Sequence, residues 1–269
     1  REQLLGLDRI VAGAYDERLM KRARDIAAYG QPVLERILHE PNGNWYAWSV
    51  ETEAQADTYI AAWKHIHAIY QAQGATNAKF VFAAHNFEPD TLQQRHRYGL
   101  MAYILAGIED EVDLIGLDPY SYPPTGGFLN ELVAGMIQAF KPFGKPMILA
   151  EMSSAMGIEA DDHPIWPKRR FWELLDKDFH NGMFPEVIGI FIFNTAKEEN
   201  GWKDFHPPLD VIEDMQRDEV YYFTNPLVSL WGIPFADDST SATSTPMMLV
   251  DAQPRAPSGK AAGGLRTTA

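Results

Sequence analysis

The chain of 269 residues contains no cysteine, which excludes disulfides and thiolate metal sites and leaves the redox compartment open. Basic residues are scarce and never form a long run: 23 Lys and Arg face 37 Asp and Glu, a formal charge of −14, so a phosphate-backbone partner has no electrostatic support and nucleic acid is set aside. No apolar run approaches the ~20 residues that span a bilayer. Neither a Gly-rich phosphate loop after a strand nor a G-x-S-x-G elbow is present, which argues against nucleotide enzymes and esterases. The first residue is Arg1, with no signal-like segment before it, so the N-terminus is expected to have been processed, trimmed or cloned away.

What is present is enough apolar residue, 46% of the chain, for one large domain with a sizeable core. Five short apolar runs recur: PVLERIL (32–38), KFVFAAH (79–85), VDLIGLDPY (112–120), KPMILAE (145–151) and EVIGIFIFN (186–194). Between them lie stretches with helical character, such as DERLMKRARDIAAYG (16–30) and EAQADTYIAAWKHIHAIYQAQG (53–74), each ending in glycine as a helix C-terminus does. Near-continuous apolar strands alternating with helices imply a parallel sheet covered by helices. Several runs end in residues capable of chemistry: His39 and Glu40, His85 and Asn86, Asp118 and Tyr120, Glu151, and Asn194. Polar groups collected at the carboxyl ends of parallel strands suit the active face of a (β/α)₈ barrel, although a doubly wound sheet binds there too. The fold expected is α/β of the (β/α)₈ TIM-barrel type, with about five of eight βα units present and roughly the first three strands outside the chain. Residues 1–237 form that catalytic domain in this reading. Residues 238–269, rich in Ser, Thr, Ala, Pro and Gly with one apolar patch at Met247 to Val250, are expected to be a disordered tail or linker.

Glycoside hydrolysis needs two carboxyl groups facing one bond, one carrying a proton for the leaving oxygen and one ionised. Glu40 and Glu151 each stand at the end of an expected strand and meet in one bowl if those strands share a barrel. The rival carboxylates Glu35, Glu88, Glu159, Glu198 and Glu199 have solvated positions as their default. His65 and His67 are two apart on a helix and cannot share a face, and His163, His180 and His206 show no ligand spacing, so no metal and no cofactor is expected.

The run R-x-L-H-E-P-N-G-N-W-Y-A-W from Arg36 to Trp48, with KPMILAE later, resembles glycoside hydrolase family 26, the retaining β-mannanase family, whose signature is close to R-x-x-H-E-x-N-G-x-W-x-x-W. The resemblance extends from about Gly13 to Trp202. It implies Glu40 as general acid/base and Glu151 as nucleophile, ~5–5.5 Å apart in a retaining enzyme, with the acid's pKa held up by its surroundings. It also implies His39 as a sugar or nucleophile contact, Tyr120 as a hydrogen-bond donor to the nucleophile, and Trp45 as the platform at the cleavage point, with Trp48 packing the loop. Trp202 is a looser second platform. Strict strand alternation would put His39 opposite Glu40, so a bulge or strand end must re-aim one of them. Arg36 shares the side of Glu40; it either orients the carboxylates or makes a buried ion pair with Glu35 or Asp118. Asn42, Gly43 and Asn44 read first as a turn, with a sugar contact by Asn42 secondary. His85 stands where the family more often has an aromatic residue, which suggests a changed substrate.

The activity expected is therefore retaining endo-hydrolysis of β-1,4-mannan or a related β-linked polysaccharide by a monomer that is secreted or associated with the cell envelope. The alternative is a non-hydrolytic barrel that binds polysaccharide in exopolysaccharide production or export. A paired acid and nucleophile argues against it, because a binding module needs neither.

Overall fold

The computed structural model of the protein describes residues 4–85, 92–121, 129–154, 156–157, 166–194, 198–199, 202–203, 222–223 and 247–250, with the backbone course alone for 4–5, 92–95, 129–132, 156–157, 166–169 and everything from 198 onward. Six helices and eleven strands, several of them two residues long, occupy these segments. The helices are α1 (Leu4–Val11), α2 (Asp16–Tyr29), α3 (Glu53–Ala72), α4 (Leu92–Gly107), α5 (Leu129–Phe140) and α6 (Trp166–His180). The longer strands are β1 (Val33–Glu35), β2 (Ala78–His85), β3 (Leu114–Asp118), β5 (Met147–Ser154), β7 (Val187–Ile192) and β11 (Met247–Val250). The two-residue strands are β4 (Tyr120–Ser121), β6 (Met156–Gly157), β8 (Glu198–Glu199), β9 (Trp202–Lys203) and β10 (Tyr222–Phe223).

The two helices named from sequence form with the expected ends. Gly30 closes α2 at φ 71°, its N–H returning to the carbonyl of Ile26, a left-handed turn that glycine adopts without a Cβ clash. Thr52 and Gln55 make a capping box at the start of α3, each satisfying a backbone N–H of the other's residue.

All five expected strands fall in one parallel sheet, in the order β1-β2-β3-β5-β7-β11-β10, with β4 paired to β5. The fold is α/β of the (β/α)₈ type, present as part of a barrel; among the described residues β1 and β10 do not pair. Two differences from the sequence reading appear. The run 32–38 is a strand only over Val33–Glu35, because the chain leaves the sheet toward Leu38, whose φ of 47° is incompatible with extended backbone. Within the segment expected as a tail, Met247–Val250 is β11, lying parallel to β7 along its whole length; the rest of 238–269 lies outside the described residues.

Side-chain alternation splits the apolar residues into two layers. On β2, Phe80, Phe82 and Ala84 face the helices and join a large core with Trp63, Tyr59, Ile104 and Phe140, while Val81 and Ala83 face the other way and pack with Leu114, Ile148 and Ala150. Both faces of the sheet are thus buried, which is why these strands carry almost no polar residues until their carboxyl ends. The inner layer is tight around Gly116 on β3: a Cβ there would stand 2.8 Å from the Cβ of Ala83 and 2.9 Å from that of Ala150. Only glycine lets β2, β3 and β5 approach this closely.

Candidate active site

Inward alternation carries Leu34 to Arg36, Ala83 to His85, Leu114 to Asp118, and Ile148 to Ala150, so polar side chains emerge at one end of the inner layer. By the same count Glu151 would point outward, to the helix layer. A register shift re-aims it: four residues of β5, Leu149 to Met152, run opposite three of β7, Ile190 to Ile192. Leu149 and Met152 both belong to the outer core, so the extra residue in this bulge leaves Ala150 and Glu151 together on the inner side.

Glu151 is held from two directions. Its Oε1 pairs with Nη2 of Arg36, and its Oε2 accepts a hydrogen bond of 2.5 Å from the Tyr120 hydroxyl. Arg36 also donates from Nη1 to Oδ2 of Asp118 at 2.8 Å, so one guanidinium joins two carboxyl groups from neighbouring strands. Of the two ion pairs considered for Arg36, the one with Asp118 forms; Glu35 is instead bonded by Arg22 and by the Tyr70 hydroxyl. Glu35, given a solvated default from sequence, is buried, because β1 sets it inside the packing of α2 and α3 rather than on a free face. Among the other rivals, Glu88 and Glu159 lie outside the described residues, and Glu198 and Glu199 are described by their backbone in β8 only.

Burial works against the charge of Arg36, but Asp118 and Glu151 outweigh it and hold the guanidinium protonated. Burial also pushes the Asp118 carboxyl well above the ordinary range; Arg36 opposes this, and the charges of Glu151 and Glu40 add to it. Oδ1 of Asp118, fully enclosed, has no hydrogen-bond partner among the described residues. The Tyr120 phenol is raised by burial and then by Glu151, so at neutral pH it is a donor only toward that carboxylate.

Glu40 lies on the connection after β1, 5% exposed, with φ 51°. The end of β1 and the left-handed conformations at Leu38 and Glu40 break the strand alternation between His39 and Glu40. Three bonds fix the turn: the Glu40 N–H reaches the carbonyl of Ala83 on β2, Tyr59 donates to the carbonyl of Leu38, and the Trp48 indole donates to that of His39. The Glu40 carboxyl faces two nitrogen donors. Trp45 Nε1 donates to Oε2 at 2.8 Å, and Nδ1 of His85 stands 3.0 Å from Oε1.

Burial pushes Glu40 up, but the hydrogen bonds and charge of His85, with the bond from Trp45, prevail and hold it below the usual glutamate range. This reverses the expectation that its surroundings hold the acid's pKa up. The cause is that the motif alone gives no sign of the histidine contributed by β2.

The remaining sequence candidates fall into place around this pair. Nε2 of His39 is 2.9 Å from the Tyr46 hydroxyl, and its ring packs edge-on against Tyr46; burial, then the charge of Arg36, lowers its pKa. Trp48 stacks on Tyr46, with ring centroids 4.6 Å apart, and so packs the loop. Trp45 is 49% exposed and stands perpendicular to the His85 ring. The indole lies over Gly43, where a Cβ would come within 2.5 Å of it, so the N-G-N turn makes room for the Trp45 ring. Asn42 is buried, and its amide is committed to His85: Nδ2 donates to the His85 carbonyl and Oδ1 accepts its N–H. Trp202 lies in β9 opposite Gly157, and its side chain is outside the described residues, as is Asn86.

Two groups that the sequence reading did not place in the site belong to it. Asp118 shares a strand face with Tyr120 two residues later, a spacing visible in LDPY. Tyr46 has its phenol pushed up to about 12, by burial first and then by the charges of Glu40 and Glu151, so both carboxylates act on one point in space. No group of three or more His, Asp or Glu side chains among the described residues is arranged to hold a metal ion, and none of the described helices is long and apolar enough to cross a membrane.

The chain is similar over 154 residues to Endoglucanase H of Acetivibrio thermocellus, at 32% identity, covering 53% of this chain and 16% of that protein. It is also similar over 119 residues to Mannan endo-1,4-beta-mannosidase A and B of Caldalkalibacillus mannanilyticus, at 29% identity, covering 42% of this chain and 21% of that protein. It therefore spans less than a quarter of the length of these relatives. Among solved structures, an endo-1,4-beta-xylanase from Penicillium canescens superposes with a TM-score of 0.50 at 12% identity, over 73% of this chain and 61% of the other, a likeness of fold alone. The model for Glycosyl hydrolase family 26 matches residues 8–190, more than half of the sequence, including Glu40, Glu151 and the side chains bonded to them as described above, and the chain belongs to that family.

Proposed function

We propose that this chain carries the catalytic centre of a retaining endo-β-glycosidase that hydrolyses β-1,4-mannan or a related β-linked polysaccharide. The observation that carries the reading is the asymmetric tethering of two glutamates around one bowl, Glu151 by Arg36 and Tyr120, Glu40 by His85 and Trp45. In the first step a Glu151 oxygen attacks the anomeric carbon, the bond to the leaving sugar oxygen breaks, and Glu40 gives that oxygen its proton. In the second, Glu40 takes a proton from water, whose oxygen attacks the same carbon and releases Glu151. Arg36 and Tyr120 keep Glu151 in one orientation while leaving lone pairs free on both oxygens. The half-exposed Trp45 supplies a flat surface for the apolar face of a sugar ring beside Glu40.

The relatives are named an endoglucanase and a mannan endo-1,4-beta-mannosidase, so the backbone sugar is the open part of the assignment. Release of reducing ends from β-1,4-mannan, mixed-linkage β-glucan and xylan discriminates among these substrates. The same assay separates a hydrolase from a protein that only binds polysaccharide. Endo-cleavage of mannan that disappears in Glu151→Ala, in a variant that melts like the wild type, supports the proposal. Binding without cleavage by the unaltered chain overturns it. Export to the cell surface or beyond follows as part of this proposal, because such polymers are met there.

A further inference from the structure

We propose that His85 is a positioning residue for Glu40: it fixes one oxygen of the acid/base carboxyl, so that the other carries the proton, and it sets the alkaline limit of activity. The inference rests on reading Glu40 as the acid/base. It assigns His85 a different part from that of a sugar platform.

The geometry differs on the two sides of the carboxyl. On the Oε1 side, His85 is anchored: its backbone N–H and carbonyl are both taken by the Asn42 amide, its ring lies 5.8 Å from that of Tyr120, and its side chain is largely enclosed. Arg97 from α4 adds a bond to the Asn42 carbonyl, so the loop that carries Glu40 and the strand that carries His85 are tied together. On the Oε2 side, Trp45 is half in solvent and is the partner that can move when a sugar arrives. An ionised carboxyl only accepts, so Nδ1 of His85 carries the hydrogen. When Glu40 takes up a proton it gives up one accepted bond, and the weaker anchor is Trp45. Protonation therefore falls on Oε2, the oxygen beside the aromatic platform, which is the oxygen that faces a leaving group.

Among the described residues, the charged and titratable groups around this pair are Arg36 and His39 before Glu40, Tyr46 in the following loop, Arg97 from α4, Asp118 and Tyr120 from the third strand and its extension, and Glu151 from β5. Among the described residues, only His85 hydrogen-bonds Glu40 with a group that is able to carry a positive charge. The sign of its effect follows. A donor to the ionised form favours that form, so Glu40 loses its proton at lower pH with His85 than without it. Activity that needs protonated Glu40 therefore falls at lower pH than in a variant lacking the donor.

Two variants of the full chain separate the donor from the ring. His85→Asn puts an amide N–H where Nδ1 stands, and His85→Phe supplies the aromatic residue more usual at this position but no donor. Titration of ¹³C-labelled glutamate carboxyls by NMR, with Glu40→Gln to assign the signal, should place the Glu40 midpoint about one pH unit or more higher in His85→Phe than in the wild type, and between the two in His85→Asn. On mannan or mixed-linkage β-glucan, whichever the wild type cleaves, the alkaline limb of kcat/KM should move by the same amount while the acid limb stays. With a 2,4-dinitrophenyl glycoside of the same sugar, whose departure needs no proton, the alkaline limb should move several-fold less. An unmoved NMR midpoint in His85→Phe, or a rise in KM alone, equal for both substrates at every pH, overturns the inference. The NMR titration requires no turnover, so a failure of the hydrolase reading, seen as wild-type chain that cleaves no glycan, is a separate result.

Discussion

Glu40 and Glu151 are the same residue type at the mouth of one sheet, yet they are built in by different means. Glu151 sits inside a strand, turned inward at a bulge, and is gripped by a partly enclosed guanidinium and a buried phenol. Glu40 sits on a turn with φ 51°, outside the sheet, gripped by one enclosed imidazole and one half-exposed indole. The difference fits the proposed roles: a nucleophile needs a fixed carboxylate, whereas an acid/base needs a carboxyl that can take and lose a proton beside water and substrate. A carboxyl with one of its two tethers half exposed meets the second need.

The largest expected effect comes from deleting the fixed partner. Glu151→Ala should lower turnover on the cleaved polysaccharide by about 10⁴-fold or more, measured by reducing-end release, because the proposed mechanism gives the covalent intermediate to this carboxylate. Residual activity within tenfold of wild type would erase the distinction between the two glutamates. Glu40→Ala should lose about 10²- to 10⁴-fold on the polysaccharide but much less in the first step with a dinitrophenyl glycoside, and added azide should yield a glycosyl azide of retained configuration. The contrast between leaving groups is the test here; equal losses on both would mean that Glu40 is not the proton donor.

The tethers are next. Arg36→Met leaves the carboxyls of Asp118 and Glu151 without their shared cation, and removal of one member of a buried ion cluster costs about 3–5 kcal/mol. Denaturant melts should show a loss of that size, together with loss of activity, and a melt unchanged from wild type would mean the cluster relaxes freely. Tyr120→Phe removes one hydrogen bond to a charged group, about 1.5–3 kcal/mol, or roughly 10- to 100-fold in kcat, with little change in the melt. A purely stabilising tyrosine would give the opposite pattern.

Much of this was legible in the sequence because parallel strands buried on both faces admit few polar residues, so the polar ones stand out at strand ends. The five strands, both glycine-terminated helices, and the convergence of Arg36, Tyr120 and Glu151 follow from that signal and from the motif. Glu151 itself shows the limit. Nothing in Leu-Ala-Glu-Met marks the bulge; had strict alternation held, the carboxylate would face the helices. His85 shows another limit, because a histidine at a strand end is equally compatible with sugar contact and with a carboxyl partner, and the distance that shows the second is absent from the sequence. Glu35 was given a free face because a three-residue strand offers too little pattern to tell which side is covered.

The smallest effect tests whether the two differently built carboxyls share one floor. Gly116 lies between Ala83, whose carbonyl accepts the Glu40 N–H, and Ala150, which immediately precedes Glu151. A methyl group at Gly116 would meet Cβ atoms fixed to the backbones of β2 and β5, neither of which can rotate away, so the strands must part by several tenths of an ångström. Overpacking of this kind costs about 1–3 kcal/mol in stability. It should also widen the gap between the two sides of the bowl at once, lowering kcat several-fold on the polysaccharide without shifting either limb of the pH profile, since no donor to Glu40 or Glu151 is removed. A Gly116→Ala variant that loses stability yet keeps full kcat would show instead that the spacing of the two carboxyls is set by their own tethers above the inner layer, and that the glycine serves the packing of the sheet alone.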